Sequence, residues 1–311
     1  MRMNRFDLNL LVALNALLEE GSVTRAARRL NLSQPATSSA LRRLREAFGD
    51  EILVANGKRM VPTPHALSLA PMVAEALGSM QALLASSTLF DPATSQRVFR
   101  IAASDYVITV AVVPLLRELA VTAPGIGVEM RSPNSGTTAD LERGTVDLII
   151  SPEQFQSAGH PRDLLFEERH VILGCRDNPI FSAPITEDIY ARVGHVVVEV
   201  SNTLSFVEEF VRTRGDRRRI EVVASSFTSV PWMLAGTNRV ALVHERLAHA
   251  FVDKLPLAFA APPFDIPPMR EMVQYHRTRA QDEGLRWLRN ALISQTTQDD
   301  IARSSASPPG A

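Results

Sequence analysis

The side chains best equipped for chemistry in this chain are Gln34, Thr37, Ser38 and Arg42. They lie in one stretch, SVTRAARRLNLSQPATSSALRRLREAF, over residues 22–48. Gln and Arg can bond a base edge at two points, and Thr can offer its methyl to thymine. Ser33 and Pro35 open the same segment, and Arg42, Arg43 and Arg45 near its end suit phosphate contact. Such a set recognises a duplex; it breaks no bonds.

Those side chains need two crossed helices behind them. Residues 23–30 read as the first, with Ala26 and Ala27 small enough to let a second helix cross closely. Asn31 and Leu32 form the turn, Ser33 is an N-cap, and Pro35 falls in the first turn, where a missing N–H costs little. Ala36 stands where a Glu or Gln would complete a capping box. Leu41, Leu44 and Phe48 recur at i, i+3, i+7 and face inward, which leaves Gln34, Thr37, Ser38 and Arg42 outward. Leu8, Leu11, Leu14, Leu17 and Leu18 stripe a preceding helix. Residues 52–55 and 58–61, joined at Asn56-Gly57, read as a hairpin. Lys58 and Arg59 beside that turn would reach the phosphate backbone as a wing. Two amphipathic helices of a bundle would explain the central pair alone. With the leading helix and the wing, a winged helix-turn-helix is the better reading.

Charge agrees. Residues 1–65 carry ten Lys and Arg against six Asp and Glu, a net of +4, and the remainder carries −5, giving −1 in all. A basic head is joined to an acidic body, so affinity for phosphates should fall with salt. The 311 residues allow two or three domains, and 45% apolar content supplies their cores. Cys175 is the only cysteine and has no resolving partner. It reads as a buried small apolar side chain rather than a redox sensor, in a reducing, cytoplasmic setting. Neither a signal peptide nor a membrane span is expected, and the longest apolar run, 106–116, contains Pro114. Catalytic patterns are poor. His244-Glu245 and His249 imitate a zinc motif, but five residues separate the histidines where one helical face needs four. No glycine-rich phosphate loop or nucleophile elbow occurs, so neither an enzyme nor a metal or cofactor is expected. Arg217-Arg218-Arg219 reads as a solvated turn or an inter-subunit contact.

The head (1–63) is followed by a linker helix (64–85), capped by Thr63 with Pro64 at its first position. Leu67, Ala70, Ala74, Leu77, Gln81 and Leu84 follow the alternating steps of a coiled-coil seam, although Pro71 should kink the helix. A dimer seam is preferred over packing on the helix's own domain. Residues 86–96 read as a hinge. From 97 to 295 strands alternate with helices, at 98–102, 128–131, 146–150, 170–174, 195–200, 220–224, 240–243 and 272–276, with a last helix over 282–293. That alternation argues for parallel α/β sheets. The Ser, Pro and Gly of 296–311 read as a disordered tail.

Asp7-Leu8-Asn9-Leu10-Leu11, the run AARRLNLSQPATSSALRRLRE and the closing Pro62-Thr63-Pro64 resemble the N-terminal pattern of the LysR-type transcriptional regulators. Arg45 in place of the usual Glu and Pro64-His65-Ala66 in place of the usual ending point to the NodD-like and NahR-like branch. FRIAASDYV, LERGTVDLII and RRIEVV carry the resemblance on, to roughly residue 292. It implies a winged helix-turn-helix joined to a two-lobed α/β effector-binding domain like a periplasmic solute-binding protein, with lobe I at 97–169 and 268–295 and lobe II at 170–267. The resemblance places the effector between the lobes. Ser104 and Asp105 would end the first strand there, and Pro133, Asn134 and Ser135 the second. His170 would lie near the crossover, Ser201 and Asn202 after a lobe II strand, Phe227, Thr228 and Pro231 at a facing helix, and Tyr275 near the return. His170 reads equally as a core histidine. Asp105 disfavours a nearby carboxylate, so a neutral phenol is as good a candidate as an acid. The partners implied are double-stranded promoter DNA, a small aromatic co-inducer, further copies of the chain in a dimer and a tetramer, and RNA polymerase. The function implied is activation of aromatic-catabolism or flavonoid-responsive genes. The rival reading is a solute-binding or enzymatic α/β protein with an accessory basic head.

Overall fold

The computed structural model describes residues 6–56, 59–86, 90–201 and 203–306. The chain divides into two compact units, one of Met1–Thr88 with Glu142–Gly144 and one of Leu89–Leu141 with Thr145–Ala311. In the first, α1 (Asn9–Glu20), α2 (Val23–Arg29) and α3 (Gln34–Phe48) precede the hairpin β1 (Leu53–Asn56) and β2 (Arg59–Pro62) and the long helix α4 (Pro64–Ser86). Gly21 and Gly49 end α1 and α3 in the left-handed conformation that glycine adopts without strain. Ser22 and Ser33 accept the Arg25 and Ala36 N–H groups at 3.4 and 3.3 Å, starting α2 and α3. Leu14, Leu17, Ala26, Leu41, Leu44, Ile52 and Leu53 form the core. Asn56 pairs with Arg59, so the strands are joined by residues 57 and 58, one position later than the Asn56-Gly57 turn expected. Lys58 lies outside the described residues.

Helix α4 departs from the expected seam. Thr63 Oγ1 does cap it, accepting the Ala66 N–H at 3.0 Å and donating to Asp50 at 2.6 Å. Ala74 is buried, and Val73, Leu69 and Leu77 pack on the unit's own core, because α4 lies against α1. Ala70 is half-buried, and the large apolar side chains left exposed are Leu67 and Met72. The Gln81 and Leu84 side chains lie outside the described residues. Pro71 sits within α4 without ending it.

The second unit runs β3 (Val98–Ala103), α5 (Asp105–Val107), α6 (Val113–Thr122), β4 (Gly127–Arg131), α7 (Thr137–Glu142), β5 (Leu148–Pro152), β6 (Arg162–Glu168), β7 (His170–Cys175), α8 (Glu187–Arg192), β8 (Gly194–Val200), β9 (Thr203–Leu204), α9 (Phe206–Thr213), β10 (Arg219–Ala224), α10 (Val230–Leu234), β11 (Val240–His244), α11 (Glu245–Val252), β12 (Leu257–Ala260), β13 (Met269–Tyr275) and α12 (Glu283–Ala306). Two sheets result, ordered β4-β3-β5-β13-β6 and β10-β8-β11-β7-β12, with β9 on β8. They are mixed rather than parallel. β3 is parallel to β4 and β5, but β13 runs antiparallel between β5 and β6. In the other sheet β8 is parallel to β10 and β11, whereas β7 is antiparallel to β11 and β12. The strands that cross between lobes reverse direction, and that reversal was invisible in the alternation of elements. Arg169 alone separates β6 in one sheet from β7 in the other.

The central strands β5, β7, β8 and β11 are buried along most or all of their length, as apolar runs covered on two faces must be. Phe99, Ile101, Leu115, Leu148, Val273, Leu285 and Leu288 fill lobe I; Val171, Leu173, Val196, Val198 and Val243 fill lobe II. Cys175 is buried and free. Arg218 contradicts the solvated-turn reading: it is buried and ion-paired to Glu208 at 2.5 Å and Asp216 at 2.7 Å. Phe90 packs on Phe99 and Trp287, so the latter part of the expected hinge belongs to lobe I. The tail reading also fails from Thr296 to Ala306, which continue α12. Thr296 is buried, and its hydroxyl donates toward the Leu165 and Leu292 carbonyls at 3.1 Å.

Candidate functional site

The head presents its recognition surface on α3. Gln34, Ser38 and Arg42 are exposed, and their four-residue spacing stacks them along one face. Ser33 and Pro35, at the exposed start of the helix, flank that stripe. Thr37 does not join it: the side chain is fully buried, and its hydroxyl donates to the Ser33 carbonyl at 3.2 Å. One residue from Ser38 in sequence is about 100° around a helix, enough to turn Thr37 into the head's interior. Arg43 is exposed and pairs with Asp7 at 3.0 Å. Arg45 departs from the phosphate-contact expectation. Its guanidinium donates to the Glu51 and Leu53 carbonyls at 2.9 and 3.0 Å and pairs with the Glu51 carboxylate at 3.1 Å, fastening α3 to the hairpin. Arg59 is exposed on β2, beside the hairpin connection.

The second unit contains a crevice of about 280 Å³ between its sheets, its lining predominantly apolar. Ser104, Pro133, Asn134, Ser135, Ser201 and Phe227 line it. Ser104 Oγ accepts the Val107 N–H at 3.3 Å, turning the chain from β3 into α5. Asn134 Oδ1 accepts the Gly136 N–H at 2.7 Å and so shapes the loop after β4. Ser201, held at φ +52°, donates to the Pro133 carbonyl at 3.1 Å and joins the two lobes directly.

Five expected residues stay outside the lining, and Asn202 lies outside the described residues. The Asp105 carboxylate accepts four hydrogen bonds from lobe II: Ser226 Oγ at 2.6 Å, Thr228 Oγ1 at 2.7 Å, and the Thr228 and Phe227 N–H groups at 2.9 and 3.2 Å. Burial would raise its pKa, but those donors outweigh burial and lower it. Asp105 and Thr228 therefore bind each other across the lobes rather than a ligand. Pro231 is buried in α10. Tyr275 is buried beneath the Arg289 guanidinium, 3.6 Å from its ring centroid. His170 lies behind the lining. It is stacked on Phe206 (5.6 Å, 12°), neither ring nitrogen has a protein partner, and burial pushes its pKa down to about 3. It is a core histidine, though not a satisfied one.

Sequence reasoning did not reach the crevice floor. Tyr106 lies flat against His244, ring centroids 3.7 Å apart and planes within 7°. The Tyr106 hydroxyl donates to Glu168, which also accepts the Arg169 N–H at 3.1 Å and pairs with Arg246 at 3.4 Å. Burial, then the neighbouring His170, keeps His244 well below the usual histidine range. Glu271, on β13, lines the crevice and is 1% exposed. Burial first, and Glu168 second, push its pKa up to about 8. Thr137, Ser151, Phe155, Leu204, Phe206 and Met269 complete the walls. A usable signal was available: most of these residues lie at or just beyond strand ends, where open α/β sheets bind ligands.

Comparison with known proteins follows this division. Residues 8–67 match the family model described as bacterial regulatory helix-turn-helix protein, lysR family, and residues 92–297 match the LysR substrate binding domain. The chain is similar to nodulation protein D 3 of Rhizobium leguminosarum bv. phaseoli, 40% identical over 300 residues, 96% of this chain and 99% of that one. It is similar also to nodulation protein D 1 of Rhizobium tropici, 41% identical over 300 residues, covering 96% and 97%. Among solved structures, a probable transcriptional regulator of Pseudomonas aeruginosa shares 29% identity and a TM-score of 0.63, covering 93% of this chain and 97% of that chain. Full-length OxyR of the same organism, at 18% identity, shares the fold with a TM-score of 0.73, covering 93% and 95%.

Proposed function

The chain belongs to the LysR family of bacterial DNA-binding transcriptional regulators, and on that premise we propose that it is an activator switched by a small uncharged aromatic molecule. The NodD-like resemblance, and 40% identity to a nodulation protein D along nearly the whole chain, favour flavonoid-responsive target genes over aromatic catabolism. A solute-binding protein or an enzyme with an accessory head is the weaker reading, because the relatives match head and body together.

One observation carries the effector class. The crevice is walled by Ile149, Phe155, Leu204, Phe206, Phe227 and Met269, and most of its lining surface is apolar although polar side chains stand among these walls. At about 280 Å³ the crevice lies at the lower end of small-molecule sites, which are clefts of about 300–1,000 Å³ with mostly apolar walls and a few polar anchors. Flat apolar walls favour an aromatic body, and hydroxyl groups at the rim suit phenolic or ketone oxygens. The effector would act by preferring one arrangement of the two lobes, since only a difference in affinity between states can move an equilibrium. Asp105 and Ser201, which join the lobes, are the contacts such a preference would work against or reinforce.

In the head, Gln34, Ser38 and Arg42 would read bases, and Arg43 and Arg59 would contact phosphates. Leu67, exposed on α4, offers an apolar contact for a second copy, and a dimer would set two recognition helices about 34 Å apart on a dyad site. Acting on promoter DNA, alone or with RNA polymerase, requires the cytoplasm. Among the described residues no helix is long and apolar enough to cross a membrane.

The test is a gel shift of full-length protein on its own upstream DNA, with and without flavone, beside thermal melts with flavone, 4-methoxyphenol and benzoate. Salt-sensitive specific retardation and a flavone-raised Tm are expected. Indifference to that DNA at low ionic strength would end the regulator reading. A Tm unmoved by any aromatic compound would end the effector class.

A further inference from the structure

Two carboxyl groups lie in unlike settings, Glu271 on the crevice lining and Glu168 buried behind it. Glu168 receives the Tyr106 hydroxyl, the Arg169 N–H and the Arg246 guanidinium. Glu271 receives nothing: among the described residues no hydrogen bond or ion pair reaches its carboxyl, yet it is 1% exposed and lines the crevice. Its strand neighbours, Pro152 on β5 and Phe166 on β6, offer no side-chain donor or charge. A buried carboxylate without a partner is costly, so the group keeps its proton and becomes an O–H donor aimed at the cavity. Ser151 Oγ, on the same wall, is also buried without a partner. The deep end of the crevice is thus supplied with donors, and among the described residues its lining contains no Lys or Arg.

We infer that the Glu271 carboxyl donates a hydrogen bond to the bound effector, so that the site accepts aromatic ligands presenting an uncharged acceptor oxygen, such as aromatic ketones, and rejects aromatic carboxylates. This rests on the crevice being the aromatic effector site. A carboxylate at that position would meet Glu271 with Glu168 behind it, and one of the acids would have to move or gain a proton.

The groups around Glu271 leave the response to pH with one source. Tyr106 on α5 is held well above its ordinary range by burial and by Glu168. His244 on β11 and His170 on β7 are held neutral by burial. Arg246 on α11 is paired with Glu168 and with Asp300 of α12. Between pH 7 and 9 the group whose charge changes is Glu271, centred at about 8. A ligand that needs the proton therefore loses about tenfold in affinity across that window, one power of ten for each pH unit above the pKa.

The experiment is calorimetric titration of the full-length protein with flavone and with biphenyl-4-carboxylate, neither of which changes charge between pH 7 and 9. For the wild type, flavone should bind more tightly than the carboxylate and weaken about tenfold from pH 7 to pH 9. Glu271→Gln, whose amide donates at every pH, should bind flavone with no such slope, and Glu271→Leu should bind at least tenfold more weakly than Glu271→Gln at both pH values. Tighter binding of the carboxylate, a flat or rising wild-type profile, or an unchanged slope in Glu271→Gln would overturn the donor assignment and leave the aromatic site standing. Binding of neither probe would overturn the aromatic site and this assignment with it. The wild-type profile and the probe pair decide the question even where a variant fails to fold.

Discussion

Replacing Asp105 with Asn should loosen the two lobes measurably. The Asp105 carboxylate takes four hydrogen bonds from residues 226–228 of lobe II, from a chain position 121–123 residues away. Asn keeps the shape but removes the charge and turns an N–H toward some of the four donors. A hydrogen bond to a charged group is worth about 1.5–3 kcal/mol, and loss of one, with a second weakened, costs about 3 kcal/mol. For a unit of this size each kcal/mol moves Tm by about 2–4 °C, so the fall should be roughly 6–12 °C. The sign with pH is fixed too. The folded-state pKa of Asp105 is lowered, against burial, by its donors. Its contribution is therefore fully present above the ordinary Asp value of about 4 and fades as pH falls through the folded value. Differential scanning calorimetry of wild type and Asp105→Asn from pH 7 to pH 3 should show a Tm gap that narrows in acid. Equal Tm values at pH 7, or a gap indifferent to pH, would refute the interlobe role.

Gln34→Ala and Arg42→Ala should each cost about 1–3 kcal/mol of discrimination between the target site and random DNA, measured by competition gel shift. Thr37→Val, at a buried position, should leave that discrimination intact and lower head stability by about 1 kcal/mol; a loss of discrimination would return Thr37 to the interface. Arg59→Ala should weaken binding alike on all sequences and lower the slope of log affinity against log salt by about 1, and an unchanged slope would remove the wing from the phosphates. Asp282, bonded by Arg97 at 2.6 Å and by Arg279 at 3.1 Å, is pulled against burial from 3.8 to about 2. Asp282→Asn should cost roughly 2 kcal/mol at pH 7 by urea titration, a difference that vanishes as pH falls from about 4 toward 2.

Much of the site was legible because its signals were local. The cap at Ser33, the inward triad Leu41, Leu44 and Phe48, and the apolar strand runs follow from short-range periodicity and hydrogen bonding, which do not depend on what lies across the fold. Ser104, Pro133, Asn134, Ser135, Ser201 and Phe227 came from the family resemblance, which places the effector between the lobes beside residues that follow strands or open helices. Thr37 was not: a one-residue difference in helical phase separates a base contact from a buried hydroxyl, and the pattern allowed both.

By itself, then, the order of residues determined a basic helix-turn-helix head, an α/β body and where most of its strands fall. Tertiary structure alone decided the partners. Arg45 is committed to the hairpin, Asp105 to lobe II, Arg218 to Glu208, and the Tyr106 hydroxyl to Glu168, 62 residues along the chain. The ionisation of a carboxyl such as Glu271 depends on who stands within a few ångströms in a desolvated place. That is a property of neighbours brought together from β6, β13, α5 and α11, and no local pattern of residues encodes it.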